Sequence, residues 1–120
     1  MARPLGAKFG IPHGVSNAVL LEAIMRFSLP GAPERYARLA EAMGAVPAGT
    51  PLETARAGLG IVSRLVRELH IPRLRDLLSR DALDAQLDAM VREAVASGSP
   101  ANNPRPASPE EIASLYGEAF

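Results

Sequence analysis

Proline and glycine divide this chain of 120 residues into short segments, and the apolar residues within each segment have helical spacing. The clearest helix start is Thr50-Pro51-Leu52-Glu53, because threonine can cap a helix, proline suits the first helical position and Glu53 completes a capping box. Behind it, one apolar stripe repeats at spacings of three and four: Leu52, Ala55, Leu59, Val62, Val66 and Leu69. Pro72 ends this helix, since a proline disfavours helical geometry in the residue before it.

The same signals predict five other helices: His13 to about Leu29, Pro33 to Met43, about Arg73 to Leu78, about Asp81 to Ala96, and Ser108 to Ala119. The last of these begins with a second capping box, Ser-Pro-Glu-Glu, and follows a proline-rich loop over residues 97–107. No segment alternates β-branched and polar residues as a strand would. We therefore expect one all-α domain over residues 1–120, a bundle of five to six helices whose first helix begins within two residues of His13.

The stretch GIPHGVSNAVLLEAIMRF, residues 10–27, is the most apolar part of the chain. Its apolar positions go nearly all the way round a helix, which indicates a helix that is buried on several sides. One of the chain's two histidines, His13, stands between Pro12 and Gly14 at the start of this helix. An imidazole at the N-terminal end of a buried helix is a candidate functional group.

The balance of charges narrows the range of partners. The chain carries 13 basic and 13 acidic residues, and a neutral chain has no long-range field to hold nucleic acid or an anionic membrane. No apolar run approaches the ~20 residues that a membrane span needs, and no targeting segment stands out. Cysteine is absent, which excludes thiolate metal sites and is typical of a reducing compartment. We therefore expect a cytoplasmic protein that binds neither nucleic acid nor membranes.

The two histidines are the main candidates for metal chemistry. A divalent transition metal takes three or four protein ligands, and no carboxylate or second histidine lies one helical turn from His13. On the residues alone, His13 is more simply a structural or capping group, and His70 is a cation at the C-terminal end of the third helix.

The carboxylates lie beside arginines at helical spacing, as on solvated faces. We assign no catalytic residue from this pattern. The arginines between Arg64 and Arg80 are interleaved with acidic residues and do not favour a nucleic-acid site.

Four segments together resemble the C-terminal helical domain of the iron-containing (group III) alcohol dehydrogenases: PLGAKFGIPHGVSNAVLLEAIMRF, ERYARLAEAMG, LHIP and NNPRPASPEEIASLYGEAF. The similarity runs from Pro4 to Phe120. Its specific part is Pro-His-Gly followed two residues later by Asn-Ala. The tail supports it independently, with Asn-Pro-Arg-Pro before a helix that ends in Tyr-x-x-Ala-aromatic. The resemblance implies a helical fold and a place in a metal-dependent dehydrogenase.

In this family the Pro-His-Gly histidine is one of four protein ligands, an aspartate and three histidines, around a single iron or zinc. The resemblance therefore implies that His13 is a metal ligand. The aspartate, the other two histidines and the nucleotide-binding domain with its glycine-rich loop lie upstream in full-length members. The family transfers hydride between a metal-bound alkoxide and NAD(P), with the metal as Lewis acid.

Two further positions carry weaker implications. Family members often have a histidine where this chain has Arg3, close to the bound substrate and nicotinamide, and an arginine there cannot act as a neutral imidazole relay. Ser99 matches a position that borders the active site in some members. The resemblance thus implies that Arg3 and Ser99 lie at the substrate cleft.

With one ligand of four and no cofactor domain, we expect the chain to be a C-terminal domain or truncated form of such a dehydrogenase. We expect it to be inactive alone and to hold neither iron, zinc nor NAD(P) stably. Two alternatives stay open: a stand-alone helical interaction module, and one subunit of a split dehydrogenase whose partner is a separate nucleotide-binding domain. The apolar face with His13 and Val15 also predicts self-association as a dimer, because nothing else in the chain is free to cover it.

Overall fold

The computed structural model describes residues 1–120 and consists of helices without any strand. Seven α-helices follow one another along the chain: α1 (Ala2–Phe9), α2 (His13–Ser28), α3 (Pro33–Ala42), α4 (Pro51–Glu68), α5 (Leu74–Leu77), α6 (Arg80–Ala96) and α7 (Pro109–Ala119). Two short 3₁₀ turns, Leu29–Gly31 and Ser99–Asn102, follow α2 and α6. The expected all-α fold is confirmed, and no helix is both long enough and apolar enough to cross a membrane.

Helix α1 is the element that the expected five to six helices left out. It has no side-chain cap at its start, and it contains Pro4 and Gly6, which disfavour helix formation. Pro4 is tolerated because the amides of the first turn have no intrahelical partner to lose. Leu5 is completely buried, so tertiary packing stabilises a helix that local sequence signals do not mark.

The two predicted capping boxes are present. The Thr50 hydroxyl accepts a hydrogen bond from the Glu53 amide at 3.2 Å, and the Thr50 amide donates to the Glu53 carboxylate at 2.8 Å. Ser108 and Glu111 make the same reciprocal pair at 3.2 and 2.9 Å. These pairs satisfy amides that a helix start leaves unpaired, so α4 and α7 begin where the sequence predicts.

Helix α2 begins at His13, as expected, and lies between α1, α4 and α7. On one side it contributes Leu20 to the larger core cluster of 12 buried residues, which also includes Leu5, Met90 and Tyr116. Towards its end it contributes Met25 to a second cluster, which is completed by three other buried residues: Leu29, Ala55 and Val62. The helix is apolar nearly all round because it packs against different neighbours on different faces.

Tyr116 links the end of the chain to its beginning. Its ring is fully buried, and its hydroxyl donates a hydrogen bond to the carbonyl oxygen of Met1 at 2.7 Å. Burial, and secondarily the carboxylate of Glu93, raises the pKa of the Tyr116 phenol far above its ordinary value. The phenol therefore stays protonated and keeps donating this bond, which holds α7 against the start of α1.

The end of α4 departs from the predicted stripe in one respect. Leu69, its last member, is 68% exposed and belongs to neither core cluster. The next residue, His70, is the only non-glycine with positive φ, at 53°. Its amide donates to Arg67, and the Ile71 amide donates to Val66, at 3.1 and 3.0 Å. These bonds define a Schellman motif, so His70 turns the chain in the left-handed conformation.

Gly58 and Gly60 in α4 give a matched test of the packing between α3 and α4. A Cβ at Gly58 would lie 2.5 Å from Ala40 Cβ, whereas a Cβ at Gly60 would meet nothing within 4 Å. We expect Gly58→Ala to lower the free energy of unfolding by about 1 kcal/mol, since overpacking exceeds the gain in helix propensity. We expect Gly60→Ala to raise it by up to about 1 kcal/mol. Urea unfolding of both variants measures the difference, and equal effects would contradict this packing.

Candidate functional site

His13 is the first residue of α2. Hydrogen bonds hold the backbone around it, while its side chain is exposed to solvent. Pro12 before it is extended, and its carbonyl accepts a hydrogen bond from the Ser16 amide at 2.9 Å. Ser16 is fully buried, and its hydroxyl donates to the Ile11 carbonyl at 3.3 Å. The His13 side chain is exposed to solvent. The helix start thus presents the imidazole outward from a rigid position.

A surface cavity of about 360 Å³ is lined by all three of the site residues expected from the sequence: Arg3, His13 and Ser99. They come from the start of α1, the start of α2 and the 3₁₀ turn after α6. Helix α1 packs against both α2 and α6, and this packing brings these positions together although they are far apart in sequence.

Three polar residues that sequence reasoning did not single out as site residues also line this cavity: Asn17, Glu93 and Ser97. Asn17 lies one helical turn after His13 on the same face of α2, and this spacing is a signal that could have identified it. Glu93 lies on α6 and forms an ion pair with Lys8 at 2.7 Å. No local pattern marks Glu93, because only the packing of α6 brings it to the cavity.

A smaller cavity of about 170 Å³ adjoins the first and shares Asn17 and Ser99 with it. Its walls are mainly apolar: Leu20, Ile24, Phe27, Pro100, Ala107 and Leu115. The residues from α2 are spaced by three and four, so they continue the face of α2 on which His13 lies. The site therefore combines exposed polar groups with an apolar recess behind them.

Met1 lines both cavities. Glu93 is the only acidic side chain among the residues that line the larger cavity, and Arg3 is a cation in the same lining.

Asn103 fixes the loop that forms the outer wall of the smaller cavity. Its side-chain amide donates to the Ser28 hydroxyl and to the Arg105 carbonyl, both at 2.8 Å. The guanidinium of Arg105 lies 4.0 Å from the centre of the Phe27 ring and pairs with Glu111 at 2.6 Å. These contacts attach the loop to the end of α2 and hold Ser99 at the cavity.

No group of three or more histidine, cysteine, aspartate or glutamate side chains lies close enough together to hold a metal ion. Within this chain, His13 is a single nitrogen donor at the cavity. One imidazole does not make a stable or selective transition-metal site. A transition metal held by His13 would need further ligands from outside this chain's cavity.

Asn103→Ala tests how the loop is held, with Asn102→Ala as the matched control, since Asn102 is exposed and makes no side-chain hydrogen bond. We expect Asn103→Ala to lower the free energy of unfolding by about 1 kcal/mol, because the buried Ser28 hydroxyl loses its hydrogen bond with the Asn103 amide and keeps only its bond to the Ile24 carbonyl. We also expect faster amide hydrogen exchange over residues 99–107. Unchanged exchange in this loop, or the same effect from Asn102→Ala, would show that other contacts hold it.

Residues 1–120 match the family described as "Fe-containing alcohol dehydrogenase family, C-terminal". The chain is 37% identical to 1,3-propanediol dehydrogenase of Klebsiella pneumoniae over 122 residues, which cover 100% of this chain and 31% of that protein. It is 38% identical to lactaldehyde reductase of Escherichia coli K12, again over 100% of this chain and 31% of the relative. It thus spans about a third of the length of these relatives.

Solved structures agree with the sequence relatives. The fold superimposes on a crystal structure of 1,3-propanediol oxidoreductase with a TM-score of 0.90 and 36% identity, over 99% of this chain and 31% of that one. It also matches an alcohol dehydrogenase from Oenococcus oeni, with a TM-score of 0.88, 30% identity and coverage of 99% and 31%. The chain belongs to the iron-containing alcohol dehydrogenase family and corresponds to its C-terminal domain.

Proposed function

We propose that this domain supplies one metal ligand and one wall of the substrate site of an NAD(P)-dependent alcohol dehydrogenase. The observation that supports this proposal is the single cavity lined by Arg3, His13 and Ser99. The apolar recess beside it adds space for a carbon chain. A mainly apolar pocket with a few convergent polar groups is the usual form of a small-molecule site.

Each polar residue has a distinct role in this proposal. His13 would bind iron or zinc through a ring nitrogen, and Pro12 and Ser16 keep that nitrogen at the surface of the domain. The metal, when bound, acts as a Lewis acid for hydride transfer between an alcohol and NAD(P). A guanidinium carries hydrogen-bond donors and no acceptor, so Arg3 would donate hydrogen bonds to an oxygen-bearing group and not act as a proton relay. Ser99 can donate or accept a hydrogen bond beside the recess.

The remaining ligands and the nucleotide site must come from a separate domain. His13 is the single histidine at the cavity, and the larger cavity is open to solvent on the side where His13 lies. We propose that a nucleotide-binding domain covers this side and completes the metal site. The domain alone is then inactive, whether that partner belongs to a longer chain or is a separate subunit of a split dehydrogenase.

Complementation tests this proposal. The chain is co-expressed with the part of Klebsiella pneumoniae 1,3-propanediol dehydrogenase that it does not match, and metal content is measured after dialysis. We expect the isolated chain to retain no stoichiometric iron or zinc and the complex to retain one metal. His13→Ala should remove that metal, whereas His70→Ala, at the far end of α4, should not.

Two outcomes would contradict the proposal. One tightly bound metal in the isolated chain would mean that it contains a complete set of ligands. A complex that keeps its metal after His13→Ala would mean that His13 is not a ligand. Alcohol oxidation with NAD or NADP, measured in parallel, should follow the metal content of each sample.

We also propose that the domain associates with itself where this partner is absent. Val15, expected on the uncovered face, is half-buried against the larger core cluster. Large exposed apolar side chains lie on several other surfaces: Leu21, Leu39, Val46, Leu65, Leu69, Leu77 and Val95. Such side chains, on a chain with no net charge, favour association. They also favour the alternative function, a helical interaction module.

Sedimentation velocity measures this association. We expect the sedimentation coefficient of a dimer at tens of micromolar chain, and partial return to monomer when the nucleotide-binding part of the relative is added. A monodisperse monomer at that concentration, without any partner, would contradict self-association. Dimers that persist unchanged in the presence of the partner would favour the interaction module over the dehydrogenase domain.

A further inference from the structure

Helix α2 lines a third cavity on the side away from His13. The cavity residues on the His13 side include Asn17, Leu20 and Ile24, whereas those of the third cavity include Glu22 and Arg26. At 100° per residue, these two sets lie on opposite faces of the helix. The third cavity has a volume of about 290 Å³ and is bounded by α2, the end of α4 with the loop after it, and the end of α7. We refer to it as the arginine groove.

The charges in the arginine groove are unevenly paired. Arg26 lies 2.9 Å from the Glu22 carboxylate and 3.7 Å from the Glu118 carboxylate, so two acidic groups share one guanidinium. Arg67 and Arg73 line the groove from α4 and the loop after it, and neither forms an ion pair. The groove therefore has carboxylates that already have a cationic partner and two guanidiniums that have none.

The turn at His70 determines where Arg73 lies. The Schellman motif at the end of α4 reverses the chain, and Ile71, Pro72 and Arg73 then form one wall of the groove. The Arg73 amide donates to the Asp76 carboxylate at 2.7 Å, which fixes the Arg73 backbone at the start of α5. The wall is held by backbone bonds, and the Arg73 guanidinium remains free for a ligand.

The groove also has an apolar part. Val19 and Ala23 of α2, Val66 of α4 and Ile71 after it line the groove between the charged groups. A volume of about 290 Å³ matches the lower end of the range for small-molecule sites. A ligand that fits must therefore be small and must combine an anionic end with an apolar body.

We propose that the arginine groove binds a small organic monocarboxylate. Its carboxylate pairs with Arg67 and Arg73, since guanidinium groups match the planar carboxylate and form charge-assisted hydrogen bonds. Its carbon chain lies against Val19, Val66 and Ile71. A multiply charged anion such as phosphate is disfavoured, because it has no apolar body and because Glu22 and Glu118 line the same groove. This site is independent of His13 and of the proposed dehydrogenase function.

Titration of the whole ¹⁵N-labelled chain, followed by NMR, tests the groove with hexanoate. Hexanol and inorganic phosphate at matched ionic strength are the comparison ligands. We expect saturable shifts from hexanoate in the amides of residues 19–26 and 66–73. We expect weaker binding of hexanol, which lacks the charge, and of phosphate, which lacks the chain. No saturation with hexanoate, or equal binding of either comparison ligand, would overturn the proposal.

Charge-matched double variants identify the residues. Arg67→Gln with Arg73→Gln removes the two groove cations, and Arg64→Gln with Arg75→Gln removes two exposed arginines that do not line the groove. We expect the first pair to weaken hexanoate binding at least about tenfold, as the loss of charge-assisted bonds implies. The second pair should leave the affinity unchanged. Equal losses from both pairs would show non-specific attraction to a basic surface and overturn the proposal.

Thermal unfolding of both double variants checks that the fold is retained, which we expect because all four arginines are exposed. If the first double variant unfolds, the single variants Arg67→Gln and Arg73→Gln replace it. Each should then weaken hexanoate binding on its own, and an unchanged affinity in both would overturn the proposal.

Discussion

Helix α2 is in contact with α1, α4 and α7, and the positions of both core clusters and of all three cavities follow from its burial. Leu20 and Met25, which point to different neighbours, belong to different clusters. A helix that packs on one face only would leave its other faces polar. Because α2 packs on several faces, its first residue, His13, has a backbone fixed relative to elements from both ends of the chain.

The parts of the fold that the sequence predicts are those with local causes. The boxes at Thr50 and Ser108 satisfy helix-start amides with side chains three residues away, so four consecutive residues contain the whole signal. Helix α1 could not be predicted in this way, because Leu5 is buried by residues distant in sequence. Leu69 shows the converse, since its periodicity matches a buried stripe while the folded chain leaves it exposed and outside both core clusters.

The candidate site also contains residues that the sequence identifies and residues that only the folded structure identifies. His13, Arg3 and Ser99 were identified through a family resemblance, and the structure brings all three to one cavity. The resemblance did not extend to Glu93, which reaches that cavity through the packing of α6 against α1. The sequence also does not show that Arg67 and Arg73 lack ion-pair partners, because acidic residues lie near both of them at helical spacing. Only the structure shows that Glu68 and Asp76 form no ion pair with them.

Folding and metal binding place different demands on this domain. Its core clusters consist of its own residues, and no buried side-chain polar atom lacks a hydrogen-bond partner. The helices therefore need no other polypeptide to satisfy their interior. A metal site needs several ligands at fixed distances, and this chain brings only one histidine to the cavity. A rigid helix start with a single exposed imidazole is of most use when a second domain binds against it, because the ligand is already in place when the remaining ligands arrive.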